Sequence, residues 1–312
     1  MWTPSYRKFK DTLMSMCRMT TPHGTEAYVW PMLPSPPFGA APNAARHYSG
    51  GSTRIDAHGN YIVVVPGEGQ RIMWTAHCDT ADSHPTLVNL KFKNGMLATD
   101  RKSILGADDK VGCAIMAMMI RSGCPGTYCF FAGEEVGCVG SEKFADDTEM
   151  LDYDCCISLD RRGYDSVITH QCGRRTASDE WANSLGKIIS QYTEGVIDMS
   201  ADPTGVFTDS REFRDLIPEC TNLSVGYFNQ HTHDEKTNVD FSFVLCMALI
   251  HMVHDGVVPT PVRDITVLER SHSDLPYGWS SRDFDSKFPP ALTDPDSLSE
   301  DDWRNYDWKA GL

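Results

Sequence analysis

Short apolar runs of strand length recur through the middle of this 312-residue chain, and segments of helical spacing separate them. Tyr61 to Val65, Arg71 to Ala76, Thr127 to Phe131, Asp154 to Leu159 and Asn222 to Tyr227 each read as a strand, with a shorter one over Ser166 to His170. Most are apolar in continuous stretches rather than at alternate positions, so both faces of their sheet must be covered. Helical patterns over Val111 to Arg121, Ser178 to about Tyr192 and Phe241 to His254 supply the cover. Such alternation predicts an α/β fold.

The flanks differ. Tyr6, Phe9, Leu13, Met16 and Cys17 give Ser5 to Met19 helical spacing, whereas Pro31, Pro34, Pro36, Pro37 and Pro42 make Thr20 to Ser52 irregular. Val196 to Met199 reads as a strand and Asp209 to Leu216 as a short helix. Beyond Pro259 the pattern dissolves into an extended, acidic tail that still carries Trp279, Trp303 and Trp308. The expected organisation is an N-terminal helix and proline-rich segment over 1–53, one domain over 54–260 and a tail over 261–312.

A formal charge of -15 repels phosphate backbones and anionic lipid, which excludes nucleic acid and membrane as default partners. Eleven cysteines, an odd number with no CxxC pair, fit reduced thiols in a cytoplasmic protein rather than a disulfide framework. Charged residues interrupt Met1 to Thr20, so it has no signal-peptide core. The longest apolar run, Val111 to Ile120, is about half a membrane span.

Polar clusters follow the strands. His77-Cys78-Asp79 ends the second, Gly106-Ala107-Asp108-Asp109-Lys110 opens a helix, and Gly133-Glu134-Glu135-Val136-Gly137 follows the Thr127 strand. Asp160 ends the fourth, and His231-Thr232-His233-Asp234-Glu235 follows the last. Each has a bland alternative: a solvated loop, an acidic helix start or a turn. Adjacent glutamates after a buried strand are harder to explain, because like charges there need a cation. Open α/β sheets bind ligands beyond the carboxyl ends of their strands, where these clusters converge. Mixed His and carboxylate donors suit zinc, with manganese or cobalt as substitutes. Either Asp108 or Asp109, and either His231 or His233, fits the donor set. Cys78 is read as facing away from the site.

The order His-x-Asp, Gly-Ala-Asp-Asp-Lys, Gly-Glu-Glu-x-Gly, strand-Asp and late His-Thr resembles the co-catalytic dinuclear zinc exopeptidases, over roughly Arg54 to Asp255. These include peptidase T, glutamate carboxypeptidases, aminoacylases and zinc aminopeptidases. The resemblance implies a three-layer α/β/α fold with a mixed, mostly parallel sheet and two zinc ions per chain. It implies that His77 and Asp160 hold one ion, Glu135 and His231 the other, and that Asp108 bridges them. Asp79 would orient His77. Glu134 would be the general base that activates a water bridging the ions.

The interval from Asp160 to His231 has no room for the lid and dimerisation domain of peptidase T, so the resemblance implies a bare catalytic domain. Arg211 is the candidate for a substrate carboxylate, with a surface Arg near a helix cap as its alternative. The implied activity is an aminopeptidase or other exopeptidase acting on small peptides. An N-acyl amino acid deacylase and an inactive binding protein are the rivals. A homo-oligomer is compatible with the sequence.

Overall fold

A computed structural model of the chain describes residues 3–34, 51–67, 71–147 and 152–265. In chain order its strands are β1 (Ser52–Ile55), β2 (Tyr61–Val65), β3 (Ile72–His77), β4 (Lys91–Lys93), β5 (Met96–Ala98), β6 (Gly126–Phe131) and β7 (Cys155–Arg161). Then come β8 (Ser166–Ile168), β9 (His170–Gln171), β10 (Arg174–Arg175), β11 (Ser200–Asp202), β12 (Glu219–Ser224), β13 (Tyr227–Phe228) and β14 (Lys236–Asn238). The helices are α1 (Tyr6–Met16), α2 (Ala107–Ser122), α3 (Val139–Asp146), α4 (Asp179–Tyr192) and α5 (Val239–His254).

The apolar runs form one eight-stranded sheet in the order β1-β2-β6-β3-β7-β12-β8-β11. Its centre, β6-β3-β7-β12, is parallel, while β1, β2 and the β12–β8 contact are antiparallel. Helix α2 is buried almost throughout and packs on β3 and β7, with α1 and α5 behind it. On the opposite face, Phe131 of β6 meets Phe144 of α3 edge to face and stacks on Phe213 of a 3-10 turn, among Ile62, Met73, Cys156 and Ile217. The expected three layers and mixed sheet are present.

Chain direction explains where a site can form. From β3 the chain passes through α2 to β6 on one side, then through α3 to β7 on the other. That reversal opens a crevice at the carboxyl ends of β3 and β7. Thr75 pairs with Ser158 across it, their hydroxyls 2.6 Å apart on one face. A period of two residues puts His77 and Asp160 on that same face, at the crevice.

The expected strand at Val196 to Met199 is corrected: the strand is β11, starting at Ser200. Gly195, at φ +83°, follows the end of α4, and the Thr193 hydroxyl accepts the Ile197 N–H, which holds 193–197 in a turn. Asp209–Phe213 is the 3-10 turn rather than a longer helix. A small antiparallel sheet, β13-β14-β5-β4, carries the loop with His231. Most of the proline-rich stretch, residues 35–50, and the tail from 266 with its tryptophans lie outside the described residues. All eleven cysteines are free thiols. Among the described residues no helix is long and apolar enough to cross a membrane.

Candidate active site

Five segments deliver the site. His77 ends β3 with its ring buried, and its Nε2 lies 3.1 Å from Asp108 Oδ1, 3.6 Å from Asp160 Oδ1 and 3.9 Å from Glu134 Oε2. His231, on the β13–β14 loop, places its Nε2 3.1 Å from Asp108 Oδ2 and 3.0 Å from Glu135 Oε1. Asp108 thus presents one oxygen to each imidazole. It opens α2 in extended conformation, with Gly106 at φ +68° ahead of it. His231 itself sits at φ +64°, an unusual conformation for a residue with a side chain.

Supporting bonds fix these groups. Asp160 accepts the Thr208 hydroxyl at 2.6 Å on Oδ2 and the Tyr227 hydroxyl at 3.1 Å on Oδ1. Asp79 accepts the backbone N–H groups of Glu134 and Glu135, each at 3.1 Å. The nearest partner of His77 Nδ1 is the Asp79 carbonyl at 3.0 Å, with the Asp79 carboxylate at 3.5 Å. Both therefore stand on the side of the ring away from Asp108, which directs Nε2 into the cluster.

Electrostatics show what the cluster can hold. Burial, then repulsion from Asp160, Asp209 and Glu135, outweighs the pull of His77 and pushes the Glu134 carboxyl well above its usual range. Burial and the neighbouring Asp108 raise Asp160 to about 6 against the bonds from His77 and Thr208. Glu135 is raised by burial and by Asp108, and its Oε1 accepts no well-directed hydrogen bond despite the nearby imidazole. The adjacent Asp108 and Glu135 carboxylates lift His231 to about 11, although burial opposes this. His77 also ends above the usual imidazole value, its bonds to Asp108, Asp160 and Asp79 overcoming burial. Concentrated carboxylates, one with an orphaned oxygen, and two imidazoles fit divalent cations of the zinc type. His77, Asp108 and Glu135 have ligand atoms all within 4.8 Å of one another, as have His77, Asp109 and Asp160.

Of the paired alternatives, Asp109 is committed elsewhere: its oxygens accept the His77 and Gly112 backbone N–H groups at 3.3 and 3.0 Å. We therefore read the second grouping as support beneath the site rather than as a cation position. His233 is exposed on the loop, while His231 reaches the cluster. Cys78 is buried, 3.9 Å from the Cys113 sulfur. Arg211 stands on the 3-10 turn, with Glu212 and the Phe207 ring as neighbours rather than the carboxylates.

Sequence reasoning gave no individual role to Thr208, Tyr227, Asp209 or Glu235. Asp209 is buried, bonded to the Ser141 hydroxyl and raised to about 7 by burial. Glu235 is buried and accepts the N–H groups of Leu105, Gly106 and Asp108. Its place four residues after His231 was visible, but the distant loop it holds was not.

No curated protein matches the chain. Solved structures share its fold. A tripeptidase from Staphylococcus aureus is 14% identical, with 82% of this chain and 99% of that one covered and a TM-score of 0.65. Aminopeptidase PepT from Bacillus cereus is 15% identical, with 81% and 99% covered and a TM-score of 0.62. The Pyrococcus horikoshii TET1 peptidase, which assembles into a tetrahedron or a large octahedral shell, is 15% identical, with 78% and 99% covered and a TM-score of 0.51. The sequence profile of peptidase family M28 matches residues 60–242, a span that takes in every member of the cluster. The chain therefore belongs to peptidase family M28 and is a zinc-dependent metallopeptidase of the exopeptidase type.

Proposed function

We propose that the protein is a two-zinc aminopeptidase that removes residues from small peptides. The observation that carries this reading is the position of Asp108, with one oxygen 3.1 Å from each of two histidines. His77 and Asp160 would hold one ion, His231 and Glu135 the other, and Asp108 would serve both. Bound zinc supplies a Lewis acid that polarises the scissile carbonyl and makes water a stronger acid. Manganese or cobalt could replace it with the same donors.

Glu134 is the general base in this reading. Its carboxyl lies at the cluster, 3.9 Å from His77 Nε2, while its backbone is held by Asp79. It takes a proton from the attacking water and delivers it to the departing amine, leaving Glu134 as it began. Asp79 orients His77 and the glutamate loop together.

Residues 54–260 form a catalytic domain without a lid, and the contact of α1 with α2 and α5 supports packing of the N-terminal helix beside it. Eleven free thiols support a cytoplasmic location. The shells of the TET1 peptidase support self-association. Arg211 remains a candidate contact for a substrate carboxylate at the cleft edge.

The test compares a free dipeptide with its N-acetylated form on zinc-loaded protein, alongside metal analysis. Two zinc ions per chain and cleavage of the free peptide alone are expected. Cleavage only of N-acyl substrates would overturn the aminopeptidase reading in favour of a deacylase.

A further inference from the structure

Glu235 is an acid that the catalytic steps do not use, yet it is buried and fully engaged. Its Oε2 accepts the N–H groups of Leu105 and Gly106, both at 2.8 Å, and its Oε1 accepts that of Asp108 at 3.0 Å. One carboxylate thereby collects three consecutive-turn donors from the loop that presents Asp108. The same segment carries His231, and the Glu235 N–H in turn donates to the Thr232 carbonyl at 3.2 Å. Two loops more than 120 residues apart in sequence are joined within one turn of the Asp108–His231 contact.

The buried charge is not isolated. Lys110, also fully buried, lies beneath Gly106, its amine about 3.3 Å from where a Cβ on that glycine would stand. It donates to the Met19 carbonyl at 2.5 Å, which ties the N-terminal segment to the same loop. A carboxylate bonded to three N–H groups with a buried ammonium close by is held in one place.

We propose that Glu235 is a positioning residue selective for the ion held by His231 and Glu135, because it fixes the distance between His231 and Asp108. This rests on the two-zinc reading. Asp160 and His77 stand on β7 and β3, so their own positions do not depend on that clamp. Glutamine at 235 would offer one acceptor and one donor, so an N–H of the Asp108 loop would face an N–H.

The test is calorimetric titration of zinc into metal-free protein, with metal content checked after gel filtration. Wild type is expected to bind two ions per chain. Glu235→Gln is expected to keep one at wild-type affinity and weaken the other about 10- to 100-fold. Glu235→Asp, which keeps the charge but withdraws it by one methylene, is expected to weaken the same ion and serves if the glutamine variant does not fold. Asp234→Asn, whose side chain pairs with Arg101 on the surface, is expected to match wild type. Two unchanged affinities in both position-235 variants, or an equal loss at both ions, would overturn the proposal while leaving the two-zinc reading intact. Fewer than two ions in wild type would remove that reading itself, and this inference with it.

Discussion

The Asp79 carboxylate accepts the backbone N–H of Glu134 at 3.1 Å, which binds the end of β3 to the loop after β6. A second bond to the Glu135 N–H and the carbonyl contact to His77 make Asp79 a junction between an imidazole and two glutamates. Its carboxyl is held below the usual range despite burial, chiefly by His77 and then by these N–H groups.

Asp79→Asn leaves only one acceptor oxygen for two N–H donors. We expect kcat to fall about 10- to 100-fold with zinc content retained. Unfolding should cost about 1–3 kcal/mol less, the penalty for a buried donor left unmatched. Steady-state kinetics and denaturant titration measure both; an unchanged kcat would contradict the junction role.

Glu134→Gln keeps shape and burial but cannot take a proton. A loss of roughly 10²- to 10⁴-fold in kcat is expected, with zinc content unchanged. Turnover close to wild type would show that another group is the base.

Thr208→Val removes the 2.6 Å hydrogen bond to Asp160 at nearly constant volume. If Asp160 holds zinc as proposed, zinc affinity should drop about tenfold. Competition against a chelator reads this directly, and unchanged affinity would mean that Tyr227 suffices.

Zinc uptake should release protons. His231 titrates at about 11 in the metal-free fold against 6.5 for a free imidazole, and His77 is raised too. His231 is therefore protonated at neutral pH, but only a neutral imidazole binds zinc. Apparent affinity should rise with pH through the neutral range. By linkage, the metal-free fold gains stability from the charged His231 ring that is complete below 6.5 and fades as pH rises through about 11. Zinc titrations in buffers of different ionisation enthalpy count the protons; no release would contradict the raised values.

Gly112→Ala tests the fold beneath the site. A Cβ there would collide with the Leu159 carbonyl and the Asp109 carboxylate, since α2 crosses directly behind β7. Overpacking of this kind costs about 1–3 kcal/mol or more, so a lowered thermal midpoint is expected.

The sequence by itself determined the layers and the chemistry of the cluster. Continuous apolar runs such as Tyr61–Val65 can satisfy their backbone and bury both faces only in a covered sheet. Acids and histidines at strand ends, as at His77, Asp160 and Glu134, point to one edge of that sheet whatever the loops do. Tertiary structure decided which of two neighbours faces the centre. Asp108 and Asp109 are equivalent as letters, but packing of α2 against β3 turns Asp109 onto backbone N–H groups and leaves Asp108 between two imidazoles. His231 and His233 differ because the loop turns left-handed at His231 and brings its ring to Asp108 and Glu135, while His233 stays exposed. Thr208, Tyr227 and Glu235 act through contacts 48, 67 and 127–130 residues away. Local periodicity carries no information about such pairs, because burial and hydrogen bonding across the crevice exist only once the sheet has brought the segments together.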